Sequence, residues 1–250
     1  AAVHAHVLTG GRRHMLLLDV VPLSLGIETL GGAVSKLIYR NSTIPARATE
    51  RFTNQADGQT GVYINIYQGE RELTKDCRLL GKFKLSGIPP MPSQIAQIEV
   101  TCLIDANGIL TVTAKEQRSG QQAKVTVQPS HGLTEDEVEQ MVLDSVEHAR
   151  SDFNARRFIE LKNKAEGEAR HTEKALAEHG EKIDEPERDQ IQQAVDEVRA
   201  AMESEDVDRL QQSMDDLANR TAPLAEIMMN SVVQKTLQGS KMEEVNPDEM

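Results

Sequence analysis

His4 and His6 stand as an H-x-H pair, the spacing at which two imidazoles could share a metal ion, but no third ligand lies near them. Asp105 and Asn107, in Asp105-Ala106-Asn107-Gly108, could begin a calcium loop, yet the remaining ligand spacing and the distal glutamate are missing. That tetrapeptide reads instead as a hairpin turn. Cys77 and Cys102 are the only cysteines. Their separation matches neither a disulfide framework nor a zinc site, so they read as reduced thiols packed like small apolar residues. His131, His148, His171 and His179 lie among acidic residues and read as exposed surface. Phosphate-binding glycine loops, H-E-x-x-H and G-x-S-x-G are all absent. No nucleophile, base or metal set can be named. The side chains left to do chemistry are apolar ones at alternating positions: Leu23, Leu25, Ile27, Phe52, Val62, Ile64, Ile98 and Val100. Alternating apolar side chains of this kind make a buried sheet face.

These residues need strands to position them. Leu16-Leu17-Leu18-Asp19 precedes Val20-Val21-Pro22 and then the alternating run Leu23, Leu25, Ile27. Period-two alternation marks a strand with one buried face. The three leucines do not fit that pattern, and Pro22 separates them from it. They read as a short apolar linker, which exposure to water would penalise and which must therefore dock; the alternative is a segment of the domain's own core. Further strands are expected over 33–39, 62–67, 79–85, 98–104, 109–115 and 123–127. Residues 41–45 form a turn-rich break, and 47–53 is polar except for Phe52. Ala56 to Gln59 is a loop tip. Ile88-Pro89-Pro90-Met91-Pro92 must be a rigid loop. Asn107-Gly108 between two alternating runs is the clearest hairpin signal.

After Pro129 the pattern becomes helical. Thr134 and Glu137 are spaced as a capping box. Val138, Met141, Val142, Ser145 and Ala149 follow helical spacing. A long helix is expected over 152–178, with Phe158, Leu161, Ala165, Ala169 and Leu176 on one face, ended by Gly180. A second opens at Asp184-Glu185-Pro186, with Ile191, Ala194, Val195, Val198 and Met202 as its stripe. A third starts at Ser204, with Val207, Leu210, Met214 and Leu217. A fourth runs from Pro223 to Leu237, and an acidic tail follows over 240–250. Strands first and helices second is the α+β arrangement.

Charge follows the same division. Of the 28 Lys+Arg and 40 Asp+Glu, 14 and 10 lie in residues 1–130, and 14 and 30 in residues 131–250. An acidic half, and no basic cluster interleaved with aromatics, argue against a nucleic-acid partner. No apolar run approaches the ~20 residues of a membrane span. The N-terminal AAVHAHVLTG has no signal-peptide pattern and reads as the last turns of a helix, so a piece of a longer chain is expected.

Several stretches resemble the 70-kDa heat-shock protein family. They are AAVHAHVLTG, LLLDVVPLSLGIETLGG, NSTIPA, FTNQADGQ, the QGER of 68–71, IEVTCLIDANGILTVTAKE and Gly132-Leu133-Thr134. The resemblance implies the end of an ATPase domain at 1–15, an interdomain linker at 16–22 and a peptide-binding antiparallel β-sandwich at 23–130. A helical-bundle lid at 131–239 and a flexible tail at 240–250 complete it. It places the linker at Leu16, Leu17, Leu18 and Asp19. It places peptide contacts at Ile27, Thr29, Leu30, Phe52, Thr53, Gln55, Val62, Ile64 and Ile98, the apolar ones lining a pocket for one side chain of an extended peptide, with sandwich core as the other reading and both readings open for Leu23, Leu25 and Val100. Leu30 and Gln55 take the positions that arch over the peptide. Asp57 with Arg170 would latch the lid, while Ser93 cannot form the charged pair with Glu166 that a loop arginine makes elsewhere in the family. Within the family, KDCRLLGKFKLSGIPPMP (75–92) and the stretch from Asp152 to Leu161 are most similar to the bacterial branch dedicated to iron–sulfur cluster assembly, with the general protein-folding branch second.

The implied partners are extended peptides with Leu, Pro and Val, the iron–sulfur scaffold protein, a J-domain co-chaperone and the protein's own ATPase domain. Neither nucleic acid nor membrane is expected as a partner. ATP and Mg would belong to the full-length protein, with no cofactor or metal in this chain, and a bacterial cytoplasmic location is expected. A second class of reading is a non-catalytic scaffold that assembles through its helical half.

Overall fold

The computed structural model describes residues 19–129 and 133–230. His4, His6, Leu16, Leu17, Leu18, His131, residues 231–237 of the expected last helix and the expected tail lie outside the described residues. The chain divides into two compact units, Ala1–Arg156 and Arg157–Met250.

In the first unit, eight strands form in chain order: β1 (Leu25–Glu28), β2 (Val34–Ile38), β3 (Ala46–Phe52), β4 (Gly61–Gln68), β5 (Arg78–Ser86), β6 (Ile98–Ile104), β7 (Leu110–Glu116) and β8 (Gln122–Val127). They make two four-stranded antiparallel sheets, ordered β2-β1-β4-β5 and β3-β6-β7-β8. The α+β class expected from the sequence holds, and the sheets form a β-sandwich. β6 and β7 alternate buried and open positions along their length, as their apolar spacing requires. The inner faces meet in one core that includes Leu25, Ile27, Ile66, Ile98, Val100 and Val112.

β3 is the strand its polar composition hid. Its outward residues are solvent-exposed, and its place comes from full-length pairing with β6, Ala46 opposite Ile104 through Phe52 opposite Ile98. Gly26 is needed where β1 meets β2, because a Cβ there would stand 2.6 Å from the Ser35 carbonyl oxygen. The 105–108 hairpin turns differently from a two-residue Asn-Gly loop. Only Gly108 has positive φ, at 75°, and Asp105 Oδ1 accepts from the amides of Asn107 and Ile109.

The stretch expected as linker already pairs at its end. The amide of Ile44 donates to the Asp19 carbonyl, Val20 bridges Thr43, and Val21 is buried. Helix α1 (Glu135–Glu147) follows the sheets, and the first turns of α2 (Ala149–His179) belong to the same unit. Both halves of the Thr134–Glu137 capping box are formed.

The second unit is helical: the rest of α2, α3 (Glu185–Met202), α4 (Val207–Arg220) and α5 over residues 222–230. Ala165, Ala169, Ala194, Val195, Val198, Leu210, Met214 and Leu217 form its main core, with Phe158 and Leu161 at its margin. Leu176 packs at a smaller cluster with Ile191 and Leu224. The expected start of the third of these helices at Ser204 is three residues early. The Ser204 hydroxyl donates back to the Ala201 carbonyl, Glu205 turns through φ 53°, and the Asp206 carboxylate caps the amides of Asp208 and Arg209.

Candidate peptide site at one end of the sandwich

The apolar positions expected to form a pocket share the inner faces of the two sheets. Ile27 is paired with Ile66, and residues directly opposite on antiparallel strands share a face. Val62, Ile64 and Ile66 share that face by period two. On the other sheet Phe52 is paired with Ile98. Ile27, Ile64 and Ile98 are fully buried, whereas Phe52 and Val62 are half-buried and pack against the same cluster. Leu23, Leu25 and Val100, for which core and pocket were both open, are completely buried.

The topology puts Phe52, Val62, Ile64 and Ile98 toward one end of the sandwich, with Ile27 next to the end of β1. There β1 and β3 end and β4 begins, so the 29–33 and 53–60 loops leave from the same rim. β5 ends and β6 begins at that rim too, which adds the 87–97 loop. Thr29 is half-buried; its amide and its hydroxyl both donate to the Ala33 carbonyl. Leu30, Thr53 and Gln55 are exposed on the rim. The arrangement is an apolar floor with the exposed loop residues Leu30, Thr53 and Gln55 above it. An anchor residue could fill the first while an extended backbone pairs with the second.

Two of the three loops are stitched together. Asn54, 1% exposed, donates through Nδ2 to the carbonyls of Ala56 and Pro92, each at 2.9 Å. Its Oδ1 accepts from the amides of Ile95 at 3.2 Å and Ala96 at 3.0 Å. The Gly58 amide donates to the Met91 carbonyl, and the Ser93 amide to Asp57 Oδ1 at 2.7 Å. Gln59 Oε1 takes the amides of Gln55 and Ala56. Asn54 escaped the sequence reading because an asparagine in a loop looks like any turn residue, and only its burial separates it.

A second feature missed by pattern is a charged cluster joining the start of α2 to the sandwich. Arg71 forms a bidentate pair with Asp152, Nε to Oδ2 at 2.5 Å and Nη2 to Oδ1 at 2.9 Å, and the Glu72 amide also reaches Oδ2. Glu72 takes Lys36 on one oxygen and Arg156 on the other, at 2.7 and 2.6 Å. The Arg71 hydrogen bonds hold the Asp152 carboxyl below the usual carboxylate range, against the opposing effect of burial. Burial alone pushes the Glu72 carboxyl up, but the hydrogen bonds from Lys36 and Arg156 leave it below its ordinary value.

The QGER of 68–71 now has a structural account. Gln68 is buried in β4, and Gly69 has φ 151° and lies close to Cys77 and Met141. Glu70 accepts from the Ser24 amide and hydroxyl, and Arg71 holds Asp152. The signal was in the motif, but its partner lies 81 residues away and no spacing rule reaches it.

Of the two expected latch residues, Asp57 serves the Ser93 amide and Arg170 pairs with Glu166 one turn away at 3.5 Å. Among the described residues no helix is long and apolar enough to cross a membrane, and no three His, Cys, Asp or Glu cluster as a metal site. The family model of the Hsp70 protein matches residues 1–230. That match spans both units and most of the chain's length, and on it the chain belongs to the Hsp70 protein family.

Proposed function

We propose that this chain is the peptide-holding part of an ATP-dependent chaperone, and that its clients come from iron–sulfur cluster assembly. Family membership carries the chaperone role. What supports the peptide site is the floor of Ile27, Ile64, Ile98, Phe52 and Val62 beneath a rim bearing Thr29, Leu30, Thr53 and Gln55. On this reading one Leu or Val side chain of the client enters the floor, while loop backbone pairs with the extended chain around it. Burying that side chain is worth roughly 1.5–3 kcal/mol.

In the full-length protein, ATP with Mg in the ATPase domain would drive release, a J-domain co-chaperone would time it, and Leu16 to Asp19 would couple the two domains. Asp57 with Arg170 as the lid latch, and a bacterial cytoplasmic setting, belong to the same proposal. The stretch 75–92 favours the iron–sulfur scaffold protein as client, through a Leu-Pro-Pro-Val-Lys-like segment.

The experiment is a fluorescence titration with that peptide and with a generic apolar peptide. Tighter binding of the first supports the iron–sulfur branch, and equal binding supports the general folding branch. Binding of neither leaves a helical scaffold as the function.

A further inference from the structure

We infer that Asn54 is a positioning residue of the peptide site, which fixes the 53–60 and 87–97 loops as one body and so sets how fast peptide leaves. The inference rests on the proposed peptide site. Asn54 stands between Thr53 and Gln55 and two residues beyond Phe52, whose cross-strand partner is Ile98. The residue is 1% exposed, and its side-chain amide spends both halves on loop backbone. Nδ2 holds Ala56 within its own loop and Pro92 in the other, and Oδ1 holds Ile95 and Ala96. Its own carbonyl accepts from the Gln94 amide, at a residue turned to φ 64°.

Only a carboxamide offers two donors and an acceptor on this short stem. An alanine there removes the partner that Ala56, Pro92 and Ile95 share and leaves the buried Ala96 amide without its acceptor. An aspartate keeps the acceptor for Ile95 and Ala96 but turns oxygen against oxygen at Ala56 and Pro92. The core takes in Ile88, Met91 and Ala96 of the 87–97 loop, but most of its members lie on paired strands, so loosening the loops need not unfold the sandwich. Freed from each other, the loops would let the rim open around a bound peptide.

The test compares the wild-type chain with Asn54→Ala and Asn54→Asp. Stopped-flow dissociation of a labelled Leu-Pro-Pro-Val-Lys-containing peptide is measured beside amide hydrogen exchange. A release rate constant does not depend on the fraction of folded protein, so merely lowered stability would not move it. The expected result is release faster by about tenfold or more in both variants. Exchange should quicken at Gln94, Ile95 and Ala96, with β6 and β7 unchanged. In Asn54→Asp the release rate should also fall back toward wild type as the pH is lowered to about 5. There the buried new carboxyl takes a proton and can donate to one carbonyl.

Unchanged release in folded variants overturns the inference, as does exchange that quickens throughout the sandwich. A wild-type chain that holds no extended peptide overturns the proposed function itself, and the positioning role falls with it.

Discussion

Arg71, three residues beyond β4, grips Asp152, in the first turn of α2, through two parallel hydrogen bonds with both side chains largely out of water. A guanidinium and a carboxylate match in this geometry, which makes such pairs stronger and more directional than a single ion contact. It ties the start of the long helix to the strand that carries Val62 and Ile64.

Asp152→Asn should therefore free the first turns of α2. Removing one partner of a buried pair costs about 3–5 kcal/mol when the other charge stays buried. Arg71 retains Asp76 at 3.6 Å, so the low end of that range is expected. Hydrogen exchange should quicken over 149–156 while β6 and β7 keep their protection. Unaltered exchange in the variant would show that apolar packing alone holds the helix.

The same pair has a pH signature. The Asp152 carboxyl titrates below its ordinary value in the folded chain, because Arg71 favours the charged form. Its contribution is thus complete above the unfolded carboxylate value, about 3.9, and is lost as pH falls through the lower folded value. Acid should weaken the docking of α2 only below about pH 4, with Glu72 acting in the same direction. In Asp152→Asn that acid-dependent part should shrink, as read from helix protection across a pH series.

Val62 is half-buried and in register with Leu85, at the floor of the proposed site. Val62→Phe should fill the space that a client side chain needs. The loss of roughly 1.5–3 kcal/mol of burial lowers peptide affinity by about tenfold or more, with the sandwich still folded. Full affinity in a folded variant would take Val62 out of the site.

Both thiols should be quiet in the folded protein. Burial pushes Cys77 up to about 11 and Cys102 up to about 12, so almost no thiolate is present at pH 8. Reaction with a thiol reagent at that pH should follow unfolding and accelerate sharply in denaturant. A fast native phase would mean that the loop around Cys77 opens on its own.

Local pattern determined much of this protein. Alternation named the strands around Val62, Ile64, Ile98 and Val100 because their inner side is dry and their outer side wet. The Thr134–Glu137 spacing named the start of α1, since a capping box is satisfied by residues three apart. The resemblance named the family. Tertiary structure decided what depends on partners far along the chain. β3 became a strand through β6, not through its own polar sequence. Asn54 became a hub by burial between two loops, and Arg71 found Asp152 across 81 residues. Periodicity reports how a segment divides between core and water. It carries no record of which distant backbone or charge completes a buried polar group, and those groups are the ones that hold the 53–60 and 87–97 loops and the start of α2 in place.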